Sequence, residues 1–264
     1  MNLETVFTSE FFSANRKRLR ELFGGAAPIV ITANGLLQKT GDSVLPFSQD
    51  NNFWYLTGVD EPGLILVMES DREYVILPKK ERIQEIFEGS IDKNLLGKVS
   101  GIEEINDFDE GWKQLSKRLK KVKHVATIQP PKSYIEQLGI YTNPSKARLI
   151  RQLREYNDSL SLIDLRPFLA SMRSVKSDVE MAAIKVAIRE TEDFYKLLQK
   201  HWLKATSEAE LFTELKIQVA KRGIDFAYDP IIASGINSIT LHYMTNDADI
   251  DFKNFLLIDL AAKA

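Results

Sequence analysis

Apolar positions recur along the chain with two different periods, and the alternation between them lays out its elements. Across 9–23, Phe12, Leu19 and Leu22 fall on one face and Gly24-Gly25 stop the run, which predicts a first helix. Arg16, Lys17, Arg18 and Arg20 crowd its other faces and read as the solvated side of an amphipathic helix. A strand is expected over 28–33, followed by a polar stretch to Leu45. The densest apolar segment of the first half is PFSQDNNFWYLTGVDEPGLILVMES, residues 46–70. Phe53, Trp54, Tyr55 and Leu56 predict an aromatic strand, Gly58 and Glu61-Pro62-Gly63 a turn, and 64–68 and 74–77 two further strands.

After Pro78 the period changes. Helices are predicted over 82–88, with Ile83, Ile86 and Phe87 as the apolar stripe, over 111–122 and over 145–156. Strands fall between them, at 124–129, closed by Pro130-Pro131, and at 160–165. Such alternation argues an α/β layer. Residues 166–176 read as a link. Ser177 with Glu180 then forms a capping box, opening a helix whose expected stripe is Met181, Ile184, Ile188, Tyr195, Leu198 and Trp202. Ser207 with Glu210 opens another, with Leu211, Leu215 and Val219 inward and Gly223 as its stop. Strands are expected near 231–232 and over 239–243, turned by Gly235-Ile236-Asn237. Phe255 to Ile258 and Leu260 predict a closing strand buried on both faces.

Composition narrows the classes. A 44% apolar and 27% charged chain of 264 residues is globular, with room for one large domain or two ordinary ones. Its net charge of −2 implies no nucleic-acid partner, and the absence of cysteine removes disulfides, thiolate nucleophiles and Cys-based zinc sites. The N-terminus lacks a signal-peptide pattern and no window is apolar enough to span a membrane, so the expected location is the cytoplasm.

Candidate chemistry concentrates in two residues. Asp259 is a single carboxylate inside the apolar closing strand. Burying it ionised costs several kcal/mol unless a cation or several donors meet it, or unless it lies where solvent reaches. His242, in the string Leu-His-Tyr, is expected on the preceding strand, where pairing could set an imidazole near the carboxylate. Such a pair suits a metal site, a general acid or base, or simply a satisfied hydrogen bond. His124 and His201 have no comparable neighbours. The tetrapeptide Leu-Ile-Asp-Leu occurs at 162–165 as well as at 257–260, so the local string cannot say which aspartate is a ligand.

Four strings, in order, carry a resemblance. PFSQDNNFWYLTGVDEP is similar to the N-terminal signature of the aminopeptidase P and prolidase metallopeptidase family. LRPFLASMRSVKSDVEMAAIKVAI resembles the entry to its catalytic domain, and FAYDPIIASGINSITLHY and FLLIDLAAKA resemble two segments within it. The resemblance implies an α/β fold: an aminopeptidase P-like (creatinase-like) mixed-sheet domain at 1–166, a linker at 167–176, and the first part of a pita-bread catalytic domain at 177–264. It also implies that Asp259 is the first metal-binding aspartate and that His242 is the substrate-side histidine, catalytic through the scissile carbonyl. Trp54, if it lines a neighbouring subunit's cleft rather than the core, is a substrate-binding residue.

The complete site of such an enzyme holds two divalent ions, Mn²⁺, Zn²⁺ or Co²⁺, that bridge a nucleophilic hydroxide and polarise the carbonyl. Its substrates are peptides with proline at the second position, and a homo-oligomer is expected. Ser48 and Ala261 depart from the arginine and glycine common at those places. The second aspartate, the ligand histidine and two glutamates would lie beyond Ala264, so these residues alone are expected to hold no ion and to be inactive. Two alternatives stand beside this reading: a non-catalytic peptide- or protein-binding module on the same fold, and a prolidase- or creatinase-type hydrolase. Half a catalytic domain is also expected to expose sheet edges and apolar surface, and so either to self-associate or to hold its second region loosely against the first.

Overall fold

In the computed structural model, residues 6–25, 27–130 and 137–263 are described, so Pro131, expected to help end a strand, lies outside them. Two compact units emerge, Phe7–Val175 and one that includes Lys176–Ala264.

The first unit is built on a six-stranded mixed sheet of order β4-β3-β2-β1-β5-β6. Its strands are β1 (Ile29–Thr32), β2 (Ile65–Met68), β3 (Glu73–Ile76), β4 (Glu104–Asn106), β5 (His124–Thr127) and β6 (Ser161–Asp164). β1 pairs antiparallel with β2 and β2 with β3, whereas β3–β4, β1–β5 and β5–β6 are parallel. Helices cover both faces, so the central strands are apolar at successive positions. Ile29, Ile31, Leu66 and Met68 face one core with Leu19 and Phe53, while Val30, Val67, Tyr74 and Ile76 face a second with Trp112 and Leu115. Helix α1 (Ser9–Phe23) lies where the spacing predicts it. Helices α3 (Arg82–Glu88), α5 (Phe108–Leu119) and α6 (Ser145–Tyr156) also fall on predicted segments, and α4 (Lys93–Ser100) adds one that the spacing did not indicate. No described helix is long and apolar enough to cross a membrane.

Several expectations are corrected here. The aromatic segment is helix α2 (Asn51–Thr57), not a strand. Asp50 caps it, accepting from the Asn52 and Phe53 amides at 3.0 Å each, and Gly58 ends it at φ 68°. A β-carbon at Gly58 would lie 2.2 Å from the Phe12 ring, so both the turn and the packing of α1 on α2 require glycine. The basic face of α1 is not wholly solvated. Arg16 is fully buried; its Nη1 donates to the Leu56 carbonyl at 2.7 Å and its Nε to Glu73 Oε1 at 2.9 Å, and Arg20 holds the other Glu73 oxygen at 2.8 Å. The stripe on α3 faces out, with Phe87 82% exposed. The stretch read as a link folds into helix α7 (Arg166–Ser174), which buries Leu169 and Met172 in the first core.

In the second unit, helices α8 (Asp178–His201) and α9 (Glu208–Arg222) pack with a two-stranded antiparallel sheet, β7 (Ile231–Ser234) and β8 (Leu256–Asp259). The capping box of Ser177 and Glu180 forms as predicted. Of the predicted stripe of α8, Leu198 is buried as expected, but Met181, Ile184, Ile188 and Tyr195 are each more than a third exposed, and the buried line runs through Ala183, Phe194 and Leu198. No strand forms over 239–243. A 3₁₀ helix (Gly235–Ile239) and a turn stand there instead.

Candidate active site

Asp259 ends β8, opposite Ile231 in the register Ile231↔Asp259, Ile232↔Ile258, Ala233↔Leu257 and Ser234↔Leu256. β7 is buried at all four positions. β8 is half-buried, with Asp259 exposed, because among the described residues it pairs with β7 alone and its outer edge is open. The expectation of a strand buried on both faces is therefore corrected. The carboxylate avoids the burial cost by lying where solvent reaches it.

The two Leu-Ile-Asp-Leu aspartates differ in their neighbours. Asp164, at the end of β6, is bound by Arg166 Nε at 2.7 Å. Burial pushes its carboxyl up, yet the Arg166 hydrogen bonds and charge outweigh that and hold it below the usual carboxylate value. Asp259 has no cation beside it among the described residues. Its Oδ1 accepts from the Tyr228 hydroxyl, while the Tyr195 hydroxyl donates to the neighbouring Ile258 carbonyl at 3.2 Å. One aspartate is thus neutralised internally, and the other presents a free oxygen.

Tyr228 was not indicated by sequence reasoning. It lies three residues before β7 and reaches Asp259 only because the two strands pair in this register. Its hydrogen bond to Asp259, then burial, then the carboxylate's charge push its phenol up to about 12. The phenol therefore ionises later folded than unfolded. Its contribution to stability is complete below the ordinary tyrosine value of about 10 and is lost as pH rises through about 12. In a background of Tyr74→Phe with Tyr243→Phe, which removes the other two described tyrosines whose ionisation is pushed up, ultraviolet titration is expected to show one late-ionising tyrosine among the described residues, returning towards pH 10 in Asp259→Asn. An unshifted late phase in that variant would rule out the contact.

His242 occupies the turn after the 3₁₀ helix and is exposed, not on a strand paired with β8. It has no hydrogen bond or ion pair with a described residue, and no direct pairing with Asp259 is seen. The segment around it is held from outside by Glu208, a fully buried carboxylate at the start of α9 that sequence reasoning did not single out. Trp54, on α2, is half-buried, its ring edge-on to Phe12 and Phe7 at centroid distances of 5.5 and 5.2 Å.

No group of three or more His, Asp or Glu side chains among the described residues is placed to hold a metal ion. A pair of divalent cations needs several oxygen or imidazole donors. Asp259 supplies one carboxylate, so the described residues do not by themselves fit such a centre.

Comparison with known proteins bears on both units. Residues 12–127 match the family description "Aminopeptidase P, N-terminal domain", and residues 182–264 match "Metallopeptidase family M24". The chain is 25% identical to the Xaa-Pro aminopeptidase of Escherichia coli (strain K12) over 97% of its own length and 59% of the relative's. It is 26% identical to intermediate cleaving peptidase 55 of Saccharomyces cerevisiae over 93% of itself and 50% of that protein. A Bacillus anthracis structure described as a candidate aminopeptidase P superposes with a TM-score of 0.84 at 27% identity, covering 98% of this chain and 62% of that one. The chain thus spans between half and two thirds of the length of these relatives.

Proposed function

The chain belongs to the aminopeptidase P group of the M24 metallopeptidases, and from that premise we propose that it is the N-terminal portion of a metal-dependent Xaa-Pro aminopeptidase. Its substrates are peptides with proline at the second position, it works in the cytoplasm, and it self-associates. Residues 1–166 serve as the N-terminal domain, with helix α7 packed into its core, and 177–264 as the first part of the catalytic one. Asp259 is one arm of a ligand set whose other members come from outside these 264 residues, which alone turn nothing over. The observation that carries the reading is an exposed Asp259 at the end of β8 with no cation beside it among the described residues, Tyr228 fixing one oxygen and leaving the other open.

Asp259 would be one of the residues that hold the ions, and with the rest of the ligand set in place they would supply Lewis-acid activation of water and of the scissile carbonyl. This chain's own residues bring the rest. The bond before proline is a tertiary amide without an N–H, so recognition rests on ring shape and the free amino end. His242, exposed on its turn, donates to the substrate carbonyl as charge develops there. Trp54 offers its exposed face to a neighbouring subunit's cleft.

Two experiments test this. Joined to the continuation of its gene, the chain is expected to release the N-terminal residue of an Xaa-Pro peptide with added Mn²⁺, whereas the 264 residues alone release none. Turnover by the 264 residues that survives repurification would overturn the reading. In the joined protein, Trp54→Ala is expected to raise KM several-fold. Because the ring also packs on Phe12, it should lower stability by about 1–2 kcal/mol. An unchanged KM would return Trp54 to the core alone.

A further inference from the structure

The segment that carries His242 leaves the end of β7 at Ser234 and returns beside α9 at Ala248, and one side chain reaches it at both ends and in the middle. Glu208 Oε1 accepts from the Ser234 amide at 2.6 Å, with Asn237 Nδ2 at 3.4 Å. Its Oε2 accepts from the Ala248 amide at 3.0 Å and from the hydroxyl of Tyr243, the residue after His242, at 2.8 Å. The carboxylate is fully buried at the first position of α9, where the helix N-terminus favours its charge. Backbone pairing reinforces the return arm: the Glu208 amide donates to the Ala248 carbonyl and the Ile250 amide to Thr206, each at 2.9 Å.

Asn246 fixes the remaining slack. It stands at φ 47°, with its side chain accepting from the Ile232 amide at 2.7 Å and donating to the Pro230 carbonyl at 3.0 Å. A buried carboxylate is costly unless donors surround it. Here every donor but Asn237 is a backbone amide or the tyrosine flanking His242. The carboxylate's partners are therefore the parts of the chain that set where His242 sits.

We infer that Glu208 is the positioning residue for His242, fixing the loop that presents the imidazole before any substrate arrives. The inference rests on the substrate-side role proposed for His242, but its test needs no turnover. Failure of the aminopeptidase reading and failure of this one are therefore separable. Nuclear magnetic resonance on the 264-residue chain reads the loop directly. In the unaltered chain, backbone order at 241–245 is expected to match that of β7.

In Glu208→Ala the same residues become loop-like and the His242 ring signals move towards those of free histidine. The Ser234 and Ala248 amides then exchange about 10-fold faster or more. Signals of Phe194 and Leu215 in the core stay in place. Glu208→Gln, which keeps one acceptor oxygen but turns an N–H towards the other anchor, is expected to recover part of the order at His242. Tyr243→Phe, which removes only the middle anchor, loosens 241–245 while Ser234 and Ala248 stay protected, and it decides the matter should the alanine variant not fold. Unchanged His242 signals in Glu208→Ala and Tyr243→Phe, or a loss of order spread evenly over α8 and α9 without rescue by Gln, would overturn the inference.

Discussion

Asp259→Asn, in a form of the protein that carries its full ligand set, is expected to lower kcat/KM on an Xaa-Pro peptide by about 10³-fold. A lost anionic ligand removes several kcal/mol of electrostatic stabilisation, and each 1.36 kcal/mol is about tenfold in rate. Thermal stability of residues 176–264 should hardly move, because Asp259 is exposed and gives up one hydrogen bond, that from Tyr228. The matched control is Asp164→Asn, in the identical tetrapeptide. It loses the Arg166 pair on the surface of the first unit and is expected to leave kcat/KM unchanged. Equal losses in the two variants, or none in the first, would show that the carboxylate on β8 has no part in the chemistry.

The second large effect concerns stability. Arg16→Met is expected to destabilise residues 7–175 by about 3 kcal/mol, since breaking a buried pair strands the partner groups left behind. Arg16 is fully buried, and its loss leaves the Leu56 carbonyl without its donor and Glu73 with Arg20 alone. Glu73→Gln should cost less, because the amide oxygen still accepts from a guanidinium. Denaturation followed by tryptophan fluorescence in a Trp202→Phe background reads the first unit alone, through Trp54 and Trp112. A loss below about 1 kcal/mol for Arg16→Met would place that guanidinium among surface charges of little consequence.

Much of the architecture was legible because it rests on period and punctuation. The capping box at Ser177 and Glu180 and the glycine stop at Gly223 act within a few residues, and they fixed one end each of α8 and α9. What failed depends on distant partners. Phe53 to Leu56 have strand-like side chains, yet the Asp50 cap and the left-handed Gly58 close a helix around them, a signal that was present and outweighed by aromatic content. Arg16 looked solvated because Glu73, 57 residues away, is what admits it to the core. The stripe of α8 slipped because its outward residues are apolar too, so spacing alone could not orient the helix.

At the site, Asp259 stood out as a lone acid in an apolar strand. Its exposure did not, since the number of strands beside β8 is a property of the sheet. His242 was found through the string around it and misplaced on a strand, because Gly235 to Ile239 wind into a 3₁₀ helix rather than a tight turn. Tyr228 and Glu208 gave no signal: each acquires its role only when β7 pairs with β8 or when α9 docks beside the returning loop.

Titration calorimetry of the purified 264 residues with Mn²⁺, repeated with Zn²⁺, asks most directly whether Asp259 is one arm of a ligand set completed from elsewhere. The account predicts no stoichiometric binding of either ion, and heats unchanged by Asp259→Asn. Tight uptake of two ions per chain, abolished by that substitution, would contradict it, because the residues described here would then hold the whole centre by themselves.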